Sequence, residues 1–228
     1  MYPIKLCNKA NYGSKRKLDI KYIVIHYTSN NGDTALNNVT YFARETLQNP
    51  ASANYFVDEK EIWVSVPDDF IAYHCGGKTY KHKICRNSNS LGIEICMNDK
   101  KGNIRYDSIK NAIELTKILM KKYNIPISNV LRHYDITGKN CPAPMVENPK
   151  LWQEFLNSLT QKPQTEEIDD DMKIYKKIDE MPDWAKASVK KAIDKKIIST
   201  DKDGAVTVFE PNLQSLVWMD RAGLFDKK

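Results

Sequence analysis

His26, His133 and Cys141 are the residues of this chain best suited to share one metal ion. Two imidazole nitrogens and a thiolate fill three corners of a tetrahedron and leave the fourth for water. That open corner distinguishes a catalytic zinc site from a structural one, which normally takes four protein ligands. His26 lies in the apolar run Tyr22-Ile23-Val24-Ile25-His26-Tyr27. His133 and Cys141 follow more than a hundred residues later, in a segment from Arg132 to Pro142 interrupted by Gly138. A lone strand histidine is ordinarily a hydrogen-bonded core residue, and a lone cysteine a small buried hydrophobe. Glu94 is a further candidate, because a carboxylate inside Leu91-Gly92-Ile93-Glu94-Ile95 is costly to bury without a partner or a task. Alternation could instead place it on a solvated sheet face.

The elements that must carry these residues follow from periodicity. The run around His26 reads as a buried strand. Gly32-Asp33-Thr34 offers a turn and a helix N-cap, so a helix is expected from Ala35 to Glu45. Residues 53–58 and 61–66 read as paired strands turning at Glu59-Lys60, and 70–74 as a short strand ending at His74. A polar loop from Gly76 to Ser90 could rim a groove, and Leu91 to Met97 gives another strand. Ile109, Ile113, Leu115, Leu119 and Met120 recur at helical spacing, which predicts a long helix over 106–123. Trp152, Phe155, Leu156 and Leu159 mark one more, while His133 and Cys141 are expected in a loop. Strands interleaved with helices predict an α/β fold with a mixed central sheet flanked by helices.

Length and composition suggest a large domain, residues 1–159, an acidic linker, 160–171, and a small mainly helical domain, 172–228. The last part has a helix signal at Met181-Pro182-Asp183-Trp184, a turn at Asp201 to Gly204 and a second helix through Leu213, Leu216, Val217 and Met219. Fewer than 60 residues is marginal for an isolated core, so this part is expected to pack on the first domain or to self-associate. Trp184 and Trp218 are either exposed contact residues or its core, and the core is the expectation.

Lys and Arg outnumber Asp and Glu by 22 to 15 in residues 1–159, within a total net charge of +6. That excess could concentrate the protein on an anionic polymer, or be a scattered solvated surface. Nucleic acid is not expected as a partner, because no recognised motif or basic-aromatic stripe is present. No run approaches the roughly 20 apolar residues that span a bilayer, so membrane insertion is not expected. The first residues lack the pattern of a secretory signal, which implies synthesis in a cytoplasm. Five irregularly spaced cysteines then argue for reduced thiols. Cys75, Cys85 and Cys96, with His82, are either buried free thiols or part of a second metal cluster.

Five landmarks, in order, resemble the zinc-dependent N-acetylmuramoyl-L-alanine amidases of the type-2 amidase and peptidoglycan-recognition-protein family, in wording closest to Gram-positive phage and prophage endolysins. They are Ile23 to Thr28, Ala51 to Asp58, Ala72-Tyr73-His74-Cys75-Gly76, Asn89 to Glu94, and Arg132-His133 through Lys139-Asn140-Cys141-Pro142. The resemblance implies one zinc ion per domain on His26, His133 and Cys141, with Glu94 beside the zinc-bound water and Lys139 at the oxyanion. It assigns His74, Asn54 and Asn89 to substrate contact. Position 54 departs from the family, where many relatives carry His and some place Tyr immediately before it; here Ala53 precedes Asn54. Tyr55 would point to the opposite strand face, and Asp135 could orient the His133 loop through a hydrogen bond. The implied substrate is bacterial peptidoglycan, reached after release from the host cytoplasm. Competing readings are a non-catalytic muropeptide binder, a structural metal with His74 as fourth ligand, and a host autolysin or antibacterial effector. The C-terminal part weakly resembles a single surface-layer-homology-type repeat or the tail of clostridial phage amidases, which implies binding of anionic wall polymers or homo-oligomerisation.

Overall fold

The structure is a computed structural model describing residues 2–44, 48–160, 174–201, 205–221 and 223–226, with the side chains of 209–211 excepted. The first expected helix ends at Phe42 with Ala43 as its cap, short of the expected Glu45, which lies outside these residues together with the linker beyond Thr160 and the turn after Asp201. The chain divides into two compact units, Met1–Lys162 and Pro163–Lys228.

In the first unit, strand β1 (Tyr12–Lys15) precedes β2 (Tyr22–Tyr27), the expected strand of His26. Helix α1 (Ala35–Phe42) follows, started by a reciprocal cap in which Thr34 Oγ1 accepts from Asn37 N and Asn37 Oδ1 accepts from Thr34 N. Asp58 holds this start in place, its Oδ2 accepting from Ala35 N at 2.8 Å. Strands β3 (Tyr55–Val57), β4 (Ile62–Val64), β5 (Phe70–Ala72) and β6 (Ser90–Ile95) come next, then helix α2 (Tyr106–Tyr123). Asn124, in the left-handed region at φ 52°, stops α2. Strand β7 (Val130–Arg132) leads into α3 (His133–Thr137), α4 (Ala143–Glu147) and α5 (Pro149–Thr160).

The main sheet runs β4-β3-β6-β2-β7, parallel except for the β3–β4 hairpin. Side chains alternate across it. Ile23, Ile25, Leu91, Ile93 and Ile95 face the core formed with Ile109, Ala112, Leu115 and Leu119 of α2 and Phe155 of α5. Each such buried side chain contributes about 1.5–3 kcal/mol, so a one-residue register slip, which would turn them all outward, is strongly opposed. The pairing His26↔Glu94, with Val24↔Gly92 and Tyr22↔Ser90, places the intervening residues together on the other face. Phe56 joins them through its pairing with Glu94. The face carrying chemistry is therefore set by the face carrying the core.

The second unit pairs β8 (Ile174–Tyr175) with β9 (Val208–Phe209) and contains α6 (Asp183–Asp194) and α7 (Glu210–Arg221). Its core includes Tyr175, Met181, Ala185, Val189, Ala192, Leu213, Leu216, Val217 and Phe225. Trp184 and Trp218 lie outside it, 45% and 66% exposed, contrary to the core assignment expected from sequence. The helical period explains this: Ala185, Val189 and Ala192 form the buried stripe of α6, and Trp184 falls about 100° off it. Trp218 falls further off its stripe, about 140° from Leu213 and about 160° from Leu216. Among the described residues, no helix is long and apolar enough to cross a membrane.

Candidate metal centre and active-site cleft

His26 ends the buried part of β2, and β7 runs beside it with Arg132 paired to Ile25, so His133 emerges at the same sheet edge. His133 opens the short helix α3 rather than lying in a loop. Asp135 caps that helix by accepting from Arg132 N at 2.8 Å, and Gly138 ends it at φ 85°. The turn after Gly138 returns Cys141 to the helix start, where Tyr134 N donates to Cys141 O at 2.9 Å. Ligand atoms of His26, His133 and Cys141 then lie within 4.8 Å of one another, and all three residues are buried. Among the described residues they are the only such metal-capable group.

These residues fit a metal ion on two independent observations. His26 Nδ1 lies 3.7 Å from Cys141 Sγ, and zinc bonds of roughly 2.0–2.1 Å to nitrogen and 2.3 Å to sulfur at a tetrahedral angle need about 3.5 Å. Both ring nitrogens of His133 are buried and neither makes a well-formed hydrogen bond, although the Gly76 backbone lies close enough to act on the ring as an acceptor; that leaves a buried lone pair for something else to satisfy.

The electrostatics suit the same use. Burial, then the neighbouring His74 and His133, hold His26 well below the ordinary imidazole range. Burial and then Lys139 bring His133 down to about 4. Both rings are neutral at pH 7, the form that ligates metals. Burial, then Glu94, push the Cys141 thiol up to about 12, so a bound cation must displace its proton. Glu94 is partly buried, and one carboxylate oxygen, Oε2, has no partner. Desolvation raises it to about 8; Lys139 opposes this and Asp33 adds to it. Lys139 is exposed, yet its charge is felt at His26, His133, Glu94 and Cys141.

Two hollows meet at this point. A cleft of about 800 Å³ runs from Glu94, Lys139 and Cys141 past Thr28 and Asn30 to Asn37 and Tyr41 of α1. A second hollow, about 480 Å³, is lined by Ala51, Tyr73, His74, Gly76, His133 and Lys139. Lys139 borders both. A further hollow of about 800 Å³ beside Lys15, Asp68 and Tyr123 contains none of the metal-capable residues.

The residues expected to contact substrate behave differently. Asn54 is wholly buried, donating to Val66 O at 3.1 Å and accepting from Gly92 N at 3.0 Å, so its amide is consumed in joining backbone segments. Asn89 closes the turn before β6 in the same way, accepting from Arg86 N and donating to Ile84 O. His74 has one ring nitrogen against His26 Nε2 at 3.1 Å and the other against Ser90 Oγ at 3.2 Å, which leaves no free nitrogen for substrate. Tyr55 does face away, into the core, with its hydroxyl donating to Asp68 at 2.6 Å. Asp135 acts on the His133 segment through Arg132, which it binds through both backbone and guanidinium, and not through the ring. Cys75, Cys85 and Cys96 are buried free thiols, and His82 Nδ1 accepts from Cys85 N. Two further residues belong to the site without a role assigned from sequence. Thr28 lines the cleft with a buried, unpartnered Oγ1, and Ser90 holds His74. The signal for each is strand alternation, since Thr28 lies two residues from His26 and Ser90 four from Glu94.

A buried His-His-Cys cluster at the edge of a mixed sheet, with an unpaired carboxylate and a lysine at its mouth, defines a candidate metal-dependent active site. The chain belongs to the N-acetylmuramoyl-L-alanine amidase family, whose model matches residues 16–144, more than half of its length. Amidase CwlL of Bacillus licheniformis is 38% identical over 136 residues, covering 57% of this chain and 38% of CwlL. Amidase BlyA of Bacillus subtilis (strain 168) is 34% identical over 168 residues, covering 68% of this chain and 45% of BlyA. The chain thus spans less than half the length of these curated relatives. The solved structure of PlyL aligns with a TM-score of 0.58 and 32% identity, covering 71% of this chain and 98% of PlyL.

Proposed function

We propose that the chain is a zinc-dependent hydrolase of bacterial peptidoglycan that cuts the amide between N-acetylmuramic acid and the L-alanine of the stem peptide. The observation that carries this reading is the convergence of His26, His133 and Cys141 beside the unpaired Glu94 carboxylate. One zinc ion on these three residues would lower the pKa of a water molecule from ~15.7 to about 7. Glu94 takes the proton of the attacking water and delivers it to the leaving amine of L-alanine. Lys139, at the junction of the two hollows, sets positive charge against the oxyanion that develops on the lactyl carbonyl. The hollows provide room on both sides of the scissile bond, one for the glycan and one for the peptide. The resemblance to phage and prophage enzymes supports an endolysin role, with action on the wall after release from the host cytoplasm.

The second unit is proposed to attach the protein to anionic wall polymers or to another copy of itself. Its exposed Trp184 and Trp218 support that reading.

Digestion of purified walls followed by mass spectrometry tests the activity. Free stem peptides beginning with L-alanine are expected, and should disappear with Glu94→Gln. New reducing sugar ends without such peptides would identify a glycosidase instead.

A further inference from the structure

His26 binds a cation through Nδ1 only if its proton sits on Nε2. In water the two neutral tautomers of an imidazole lie close in energy, so something in the protein must choose. The choice can be followed outward from the cluster. His26 Nε2 lies 3.1 Å from His74 Nδ1, His74 Nε2 lies 3.2 Å from Ser90 Oγ, and Ser90 Oγ donates to the Arg86 carbonyl at 2.7 Å.

The far end of this chain is fixed. A serine hydroxyl has one proton, and here it is given to a carbonyl that can only accept. Ser90 Oγ must therefore accept from His74, which places the His74 proton on Nε2. The two ring nitrogens of His74 face Ser90 Oγ and His26 Nε2, neither of them a carboxylate that would hold a second proton on the ring, so the ring carries one proton. His74 Nδ1 is thereby an acceptor, and the hydrogen atom in its contact with His26 must come from His26 Nε2. That leaves His26 Nδ1 bare, and it is the nitrogen 3.7 Å from Cys141 Sγ. Gly92 makes the arrangement possible, because a Cβ there would lie 2.6 Å from His74 Cγ. Ser90, Gly92 and Glu94, alternate residues on one face of β6, thus serve the site in three different ways.

We infer that Ser90, acting through His74, is a positioning residue that sets the tautomer of His26 and keeps its Nδ1 lone pair directed at the metal cluster. Without the serine hydroxyl, His74 Nε2 loses the side-chain acceptor that fixes its proton, and the Ser90 carbonyl beside the ring is what remains. Moving that proton to Nδ1 would turn His74 into a donor toward His26 Nε2 and shift the His26 proton onto the ligand nitrogen.

The test uses the full chain. Nitrogen NMR of the ring atoms in zinc-free wild-type protein should show His26 protonated on Nε2 and His74 on Nε2. In Ser90→Ala the His26 signals should move toward the other tautomer, and zinc affinity, measured by competition with a chelator, should fall roughly 10–100-fold. Ser90→Thr, which keeps the hydroxyl, should restore both readouts. A wild-type His26 protonated on Nδ1 would overturn the inference without any variant, so a Ser90→Ala protein that fails to fold does not shield it. Unchanged tautomers and zinc affinity in a folded Ser90→Ala would overturn it equally. The inference rests on the metal reading of His26, and the two fail separately. A wild-type protein with the expected tautomers that binds no zinc would refute the proposed function and leave the tautomer assignment standing.

Discussion

Replacing Glu94 with glutamine should separate catalysis from stability in opposite directions. In the zinc-free protein Glu94 titrates near 8 against an ordinary carboxylate value of 4.5, chiefly because it is desolvated. Between those values the folded chain holds a proton that the unfolded chain has released. Stability is therefore fully present below about pH 4.5 and is lost as pH rises toward 8. The roughly 3.5 pH units between the two values, at about 1.36 kcal/mol each, set a ceiling near 5 kcal/mol. Glu94 is only partly buried, so solvent screening reduces the effect, and about 1–3 kcal/mol is expected. Glutamine keeps the shape and cannot ionise. Zinc-free Glu94→Gln should match the parent at pH 5 and exceed it by that margin at pH 8.5, while its zinc-loaded form loses about 10²–10⁴-fold in turnover. Urea unfolding at both pH values measures the difference, and hydrogen exchange over Ser90–Ile95 reads the first unit separately from the second. If Glu94→Gln gained nothing between pH 5 and 8.5, the carboxylate would be solvated and ionised in the zinc-free protein, and the desolvation argued for it would be refuted; unchanged turnover in the zinc-loaded variant would refute its role as proton carrier.

Other substitutions probe the remaining parts. Lys139→Ala should lower kcat by about 10²–10³ with zinc content unchanged, as expected for loss of one oxyanion partner; steady-state kinetics on soluble muropeptides would measure it, and an unaltered kcat would remove Lys139 from the mechanism. Cys141→Ser should lose bound zinc and wall lysis together while the fold persists, as read by metal analysis, turbidity and circular dichroism; lysis at the parental rate would contradict the assignment. Asn54→Ala strands the Val66 carbonyl and the Gly92 amide, so about 2–5 kcal/mol of stability should disappear. Activity per folded molecule should not change, and a selective rise in KM would restore Asn54 to substrate binding.

The parts of this fold legible in sequence are those where local pattern and tertiary demand agree. Helix α2 was placed at 106–123 because its apolar residues recur at helical spacing, and Tyr106–Tyr123 is the observed helix. His26, His133 and Cys141 were legible as a candidate metal set through the family resemblance of their surroundings, since each taken alone reads as a core residue, and the structure brings the three together. Strands β1 and β7 were not foreseen; each is short, and pairing with distant partners holds it in place. Helix α3 went unseen because its five residues owe their form to the Asp135 cap and the Gly138 stop. Asn54 and Asn89 are ambiguous in sequence for a different reason. An amide side chain near a site can serve a ligand or the backbone, and only the folded chain shows that Gly92 and Arg86 had already claimed them. His74 was recognised as belonging to the site, but its partner turned out to be His26.

X-ray absorption at the zinc edge, on protein purified without chelators, measures the central arrangement directly. One zinc per chain is expected, with two nitrogen ligands at roughly 2.0–2.1 Å, one sulfur at roughly 2.3 Å and one light atom from solvent. A protein without stoichiometric zinc, a shell lacking sulfur, or a fourth protein ligand in place of water would contradict it.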